Sequence, residues 1–243
     1  SEILKHKPKR LYVVDISELN LFNLIKRLKN EKKYNRKNLK IILGDCGDLN
    51  FLFNIFKNIK INEIYHAAAY KHVNFGEENP YSMIKNNVFG TKNIIDFSVQ
   101  KNIKNFTFIS SDKAVNPKSI LGYSKKLGEK LIQNIKFSKL QKKINFTIVR
   151  FGNVIGSSGS VIPIFLNQIE KKQSLTVTNK KVKRYFMSIS EAVQLIINAS
   201  YYNTKGIKIF ALDMGEQLNI YDLAKRLIYL SGYTLRGKSN PNG

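Results

Sequence analysis

Cysteine is nearly missing from this chain. Cys46 stands alone, so no intramolecular disulfide can form and a reducing compartment is expected. Histidine is scarce as well: His6, His66 and His72, with one cysteine, are too few and too scattered for a zinc cluster of ordinary spacing. No run of about 18 apolar residues occurs, so no membrane-spanning helix is expected within these residues. The sequence does not open on a charged-then-apolar stretch of secretory type, and a cytoplasmic location is the expectation. Internal repeats and long low-complexity segments are absent too. Acidic residues are outnumbered, 17 against 41 Lys and Arg, for a formal charge of +24. The lysines are spread through every segment among Asn and Ile, a composition that AT-rich genomes produce. No zinc finger, RNP aromatic pair or helix-turn-helix pattern accompanies them, so nucleic acid is not an expected partner. A positive field does suit a small substrate that carries phosphate.

What is present is alternation. The 243 residues, 43% of them apolar, suffice for one large α/β domain or for one domain with a small appendage. Strands are expected at Arg10–Asp15, Leu39–Leu43, Glu63–His66, Asn105–Ile109 and Phe146–Arg150. Helical spacing fills Leu19–Leu28, Leu49–Ile59, Pro80–Gln100 and Ser119–Leu140. Such order predicts a doubly wound parallel sheet, with ligands at the carboxyl ends of its strands. After Arg150 the pattern changes. A loop rich in glycine and serine (Gly152, Gly156–Ser160) leads to shorter elements. These are helices near Pro163–Glu170, Ser190–Tyr202 and Ile220–Leu230, and strands near Leu175–Val177 and Lys208–Leu212. Residues 1–150 therefore read as one domain and 151–243 as a smaller carboxy-terminal α/β lobe, partly interleaved with the sheet. The tail from Arg236 is polar and reads as loose.

The segment Ile109–Lys126 carries the most chemistry. It sets Ser111, Asp112 and Lys113 side by side where a parallel strand ends, and Lys125 one turn inside the next helix. A hydroxyl, a carboxyl and two amines converging there are parts for proton transfer. Asp15 ends another strand, where it can hold a ribose diol or cap the following helix. Gly44–Asp48 follows the next strand, where an adenine edge would lie. The three alanines after His66 let a main chain pass close to a ligand, or pack a helix tightly on the sheet. Asn87, in mid-helix, either holds a neighbouring backbone or faces water. No GxGxxG or GxxGxxG turn occurs.

Long motifs in order carry a family resemblance. They are DIS (Asp15–Ser17), Gly44-Asp45, HAAAYKHV (His66–Val73), SSDKAVNP (Ser110–Pro117), RFGNVIGSSGSVIPIF (Arg150–Phe165) and RYFMSI (Arg184–Ile189). Together they resemble the polysaccharide-biosynthesis branch of the extended short-chain dehydrogenases/reductases. Within it the match is to UDP-N-acetylglucosamine 4,6-dehydratases of the capsule and flagellin-glycosylation type. The resemblance implies a Rossmann-like fold whose first strand and glycine turn would lie before Ser1, so that the dinucleotide-binding domain looks truncated. It also implies NAD as cofactor, a UDP-sugar as substrate, a homo-oligomer, and membrane association only through upstream segments outside this sequence. The implied reaction is an internally balanced elimination. Transient oxidation at sugar C4 acidifies the C5 proton, water leaves from C6, and the hydride returns to C6. Ser111 would bond the C4 oxygen, Asp112 would be the acid at C6 and Lys113 the base at C5.

By the same resemblance Asp15, Asp45, Cys46, Ala67, Ala68, Ala69, Lys71, Asn87, Ser110 and Lys125 would line the cofactor site. Asn153, Ser160, Val161 and Arg184 would bind the nucleotide sugar. One departure stands out. Leu121 occupies the tyrosine place of Tyr-x-x-x-Lys, and Tyr123 lies on another helical face. An apolar residue there fits the configuration-retaining branch and leaves deprotonation of the C4 hydroxyl to Asp112 or a lysine. An epimerase or reductase of the same superfamily, or an inactive fragment, are the alternative readings. An epimerase needs no C5 base and relies on the tyrosine.

Overall fold

The structure is a computed structural model that describes residues 2–31, 35, 37–135, 144–156, 160–203 and 205–236. A short opening helix α1 (Glu2–Lys5) precedes β1 (Leu11–Asp15), α2 (Glu18–Asn30), β2 (Leu39–Leu43), α3 (Leu49–Ile55) and β3 (Glu63–His66). Two short helices follow, α4 (Val73–Glu78) and α5 (Pro80–Ile84). The second continues through a π-helical turn, Lys85–Gly90, into α6 (Thr91–Gln100). Next come β4 (Asn105–Ile109), a 3-10 turn at Asp112–Ala114, α7 (Ile120–Asn134) and β5 (Asn145–Arg150). The chain continues as β6 (Asn153–Val154), α8 (Val161–Glu170), β7 (Lys183–Arg184), β8 (Phe186–Met187) and α9 (Ile189–Tyr202). It ends with β9 (Ile207–Ala211), β10 (Leu218–Asn219) and α10 (Ile220–Leu230).

These elements form two compact units. One is Ser1–Arg150 with Gln194–Ala211; the other is Phe151–Val193 with Leu212–Gly243. In the first unit all strands run parallel. β3, β4, β5 and β9 form a four-stranded sheet in that order, and β1 and β2 pair separately. Both sheets rest on one core. Phe106, Phe146, Ile148 and Phe97 are its centre, and Tyr12, Val14, Ile42 and Ile64 pack against it. In β4 consecutive residues Phe106, Thr107 and Phe108 are all buried. β4 is therefore covered on both faces, with the polar Thr107 buried between two phenylalanines. Each buried phenylalanine contributes about 2–3 kcal/mol of transfer free energy. Side-chain caps start the helices that follow the strands: Ser17 accepts from Asn20 N, Asp48 from Phe51 N and Ser119 from Gly122 N. The caps fix where the chain leaves each strand's carboxyl end, the edge that carries the site.

The second unit is built around Phe165, Ile220 and Ala224, with parallel β6–β8 and antiparallel β7–β10 pairs. Here one expectation fails. Leu175–Val177 is no strand. Leu175 and Val177 point into the small core, while Thr176 is bonded by the side-chain amide of Gln168, through 3.0 and 3.3 Å contacts, instead of by a strand ladder. Two helices also differ from expectation. The helix from Leu49 ends at Ile55 rather than Ile59, and the amine of Lys101 takes the Phe56 and Lys57 carbonyls beyond it. The long helix expected over Pro80–Gln100 is interrupted at Lys85–Gly90. There the Thr91 hydroxyl donates to the Asn87 carbonyl at 2.6 Å. Gly159, Ser157, Ser158, residues 136–140 of the expected helix and residues 237–243 of the tail lie outside the described residues. Among the described residues no helix is long and apolar enough to cross a membrane.

Candidate functional site

The carboxyl end of β4 gathers the four residues predicted for catalysis. Two residues beyond the strand, Ser111 caps the 3-10 turn, its hydroxyl oxygen accepting from Lys113 N at 3.3 Å. The Ser111 hydroxyl donates to Asp112 Oδ1 at 2.8 Å, and Lys113 Nζ donates to the same oxygen at 3.0 Å. Alcohol, acid and amine thus converge on one carboxylate oxygen. α7 brings the fourth group. Lys125 Nζ donates to the Ile109 carbonyl at 2.9 Å and lies 5.1 Å above the ring of Phe108. Burial pulls the Lys125 amine down from 10.5 to about 8. The start of α7 also touches the turn itself: a Cβ on Gly122 would stand 2.7 Å from the Lys113 carbonyl oxygen. Lys125 and the Ser111–Lys113 turn therefore share one strand end. Leu121 is buried, whereas Tyr123 is half exposed on another face of α7.

A second layer of polar groups supports this end. Ser110 is buried and donates to Glu129 Oε1 at 2.6 Å. Glu129 also receives Arg150 through both oxygens, at 2.8 and 2.6 Å. At the end of β3, His66 is buried beside Phe106 and Phe108 and meets Thr91 Oγ1 at 2.8 Å. The Thr91 proton is committed to the Asn87 carbonyl, so the His66 ring donates from Nε2. Burial, and the Lys125 charge after it, lower the His66 pKa to about 3, so the ring is neutral.

The remaining residues predicted for a dinucleotide lie at the other strand ends of the same unit. Asp15 ends β1. Its Oδ1 accepts from Ser17 N at 2.8 Å, and its Oδ2 makes only a long 3.4 Å contact with Asn20. The helix cap is Ser17, which leaves Asp15 with an acceptor oxygen to offer. Asp45 closes a turn by accepting from Gly47 N. Cys46 beside it is a free thiol that burial, then Asp45, pushes up to about 11. Ala67 and Ala68 are exposed after β3, and burial lowers the pKa of Lys71 in the same loop. Asn87 is placed differently. It is 1% exposed; Oδ1 accepts from Tyr70 N at 2.8 Å, and Nδ2 donates to Tyr70 O and to Ser124 Oγ at 3.0 Å. It clamps the loop after β3 to α7, so any influence on a cofactor passes through that loop. Ser110 is likewise buried, with its hydroxyl committed to Glu129.

Asn153, Ser160, Val161 and Arg184 lie in the second unit. Asn153 pairs with Phe186 in the β6–β8 ladder, and its N–H donates to the Tyr185 carbonyl at 3.3 Å, next to Arg184. Ser160 is the N-cap residue of α8 without a side-chain cap bond, and Val161 is its first residue. Arg184 is exposed. Sequence reasoning assigned no role to Glu129, Arg150, His66 or Thr91. The one signal for Glu129 is its spacing, four residues after Lys125 and so on the same helical face.

The chain has counterparts among known proteins. A model of the polysaccharide biosynthesis protein family matches residues 1–242, and the chain belongs to that family. EpsC of Bacillus subtilis (strain 168) is 48% identical over 193 residues, 79% of this chain and 31% of that protein. A UDP-glucose 4-epimerase of Rickettsia bellii (strain OSU 85-389) is 32% identical over 80% of this chain and 57% of its own length. An inverting UDP-N-acetylglucosamine 4,6-dehydratase of Campylobacter jejuni is 30% identical over 223 residues, 91% of this chain and 64% of that protein. The chain thus spans about a third of EpsC and less than two thirds of the two nucleotide-sugar enzymes. Among solved structures, Pen from Bacillus thuringiensis superposes with a TM-score of 0.85 at 35% identity, over 96% of this chain and 69% of that one. The parallel α/β architecture is Rossmann-like.

Proposed function

We propose that the protein to which these residues belong is an NAD-dependent 4,6-dehydratase of a UDP-sugar, with UDP-N-acetylglucosamine as its substrate, serving surface polysaccharide or glycan biosynthesis. The observation that carries this reading is the meeting of Ser111, Asp112 and Lys113 on one carboxylate oxygen, at the strand end that Lys125 grips. The similarity to a UDP-N-acetylglucosamine 4,6-dehydratase supports it.

The residues at the strand ends fit a dinucleotide. The small, exposed Ala67 and Ala68 leave the backbone after β3 open to close approach, and Asp15 has an acceptor oxygen that suits a ribose diol. Asp15, the Asp45–Cys46 turn, Ala67–Ala69 and Lys71 would hold the cofactor. When bound, NAD supplies reversible oxidation at C4. The chain's own groups do the rest. Ser111 donates to or accepts from the C4 oxygen as its charge changes. Lys113 removes the C5 proton once it has shed its own. Asp112 takes up the proton that the C4 hydroxyl loses on oxidation and delivers it to the departing C6 hydroxyl; the two neighbours that share its Oδ1 hold it in place. Lys125 would bond the nicotinamide ribose and would place positive charge near the C4 oxygen, which takes up negative charge when the C5 proton leaves. Asn153, Ser160, Val161 and Arg184 are assigned to the UDP moiety; a guanidinium and a helix amino end both suit a diphosphate.

Leu121 favours a configuration-retaining outcome at C5, although the similar Campylobacter jejuni enzyme is an inverting one. Similarity to an epimerase supplies the rival reading, and Leu121 weighs against it because no tyrosine stands where such enzymes place theirs. Incubation of the full-length protein with UDP-N-acetylglucosamine in deuterated water separates the two. Loss of one water with deuterium at C5 is expected, and the C5 configuration follows from the same product. A product of unchanged mass refutes the dehydratase assignment.

A further inference from the structure

We infer that Glu129 is a positioning residue: through Ser110 it sets the place of the Ser111–Lys113 turn. A carboxylate on the middle of a helix ordinarily faces water. Glu129 is 1% exposed instead. Such burial is tolerated only when the charge is paired and its lone pairs are satisfied. Arg150 satisfies it from the end of β5 with a two-pronged contact, 2.8 Å to Oε1 and 2.6 Å to Oε2. Ser110 fills the remaining lone pair of Oε1 at 2.6 Å.

The ion pair therefore spans α7, the end of β5 and the residue that follows β4. That residue is bonded directly to Ser111. On the same helix and one turn earlier, Lys125 holds the Ile109 carbonyl. α7 thus grips two consecutive residues, Ile109 and Ser110, before the turn begins. On the far side of the turn Gly122 packs against the Lys113 carbonyl. With both ends fixed, the turn has no freedom to slide relative to Lys125. The sheet adds a third constraint, because Ser110 N donates to the Val149 carbonyl at 2.8 Å, next to Arg150.

The inference concerns the placement of the turn; its catalytic consequence rests on the dehydratase reading. The experiment keeps the two apart. Ser110→Ala cuts the link but leaves the Glu129–Arg150 pair. Glu129→Gln keeps the volume but turns an amide toward the guanidinium. Hydrogen exchange in the full-length protein is read at Ala114 and Val115, whose N–H groups close the turn onto Ser111 O and Asp112 O. In both variants exchange there speeds up at least about tenfold, while amides of β1 and α3 keep wild-type rates. Unchanged exchange at Ala114 and Val115, or equal acceleration everywhere, overturns the inference. Turnover is the second arm. In S110A, kcat falls about 10- to 100-fold with KM for the UDP-sugar unchanged. The S110A/E129Q double variant falls no further than E129Q alone, because both changes break one link. Additive losses overturn it. A wild type without turnover, but with the exchange pattern above, overturns the dehydratase reading and leaves the positioning role standing. If E129Q fails to fold, S110A decides by exchange and by the kcat–KM split.

Discussion

Replacing Lys125 by methionine should change how stability responds to pH. The Lys125 amine is buried and its pKa falls from 10.5 to about 8. That gap of roughly 2.5 units amounts to about 3 kcal/mol withheld from folding while the amine is charged. The sign follows from proton counts. Between pH 8 and 10.5 the folded chain has released this proton and the unfolded chain still holds it. The unfolded state then binds more protons, so stability rises with pH across the window. From about pH 7 to about pH 10 the recovery is roughly 2–3 kcal/mol. Methionine keeps the stem and removes the charge. It also leaves the Ile109 carbonyl without its 2.9 Å partner, a cost of about 1–3 kcal/mol that does not vary with pH. Urea unfolding of wild type and K125M at the two pH values gives the difference of differences. Wild type should gain the 2–3 kcal/mol relative to the variant, with other lysines and tyrosines cancelling. Parallel pH profiles would refute the burial argument.

Two further outcomes are expected. Lys113→Ala should abolish deuterium entry at C5 while UDP-sugar affinity, read by calorimetry, stays within about threefold of wild type; retained exchange removes the base assignment. Asn87→Leu leaves the Tyr70 N–H and carbonyl, and the Ser124 hydroxyl, short of their partner, and should cost about 2–4 kcal/mol in denaturant unfolding. A loss under about 1 kcal/mol would mean that the loop after β3 is held by other contacts.

The strands of the first unit were legible because most are short runs of apolar residues with Gly, Asp or Asn at an end, and because helices alternate with them. Their carboxyl ends then had to lie on one edge, which is why Ser111, Asp112, Lys113 and Lys125 could be named as one group. The π-helical turn was not legible. Ile84, Val88, Ile94 and Ile95 keep helical spacing through it, and the extra residue is accommodated by a Thr91 hydroxyl that no periodicity reveals. Leu175–Val177 misled for a related reason. A strand-like pattern needs a partner strand, and Gln168 took that place with a side chain. Strands of two residues, such as β7 and β10, are too short to leave any periodic mark. Glu129 and Arg150 stayed hidden because a charged residue reads as surface until its partner, 21 residues along, is brought to it by the sheet.

β9 has a consequence for synthesis. It pairs with β5, from Phe146↔Ile207 to Arg150↔Ala211, so the ribosome adds about sixty residues between the end of one strand and the end of its neighbour. At about 5–20 residues per second the nascent chain waits roughly 3–12 s with one side of β5 unsealed. Ile148 and Val149, wholly buried at the finish, have until then no neighbour on that side. That interval is when a chaperone, or a wrong strand, has its best opportunity.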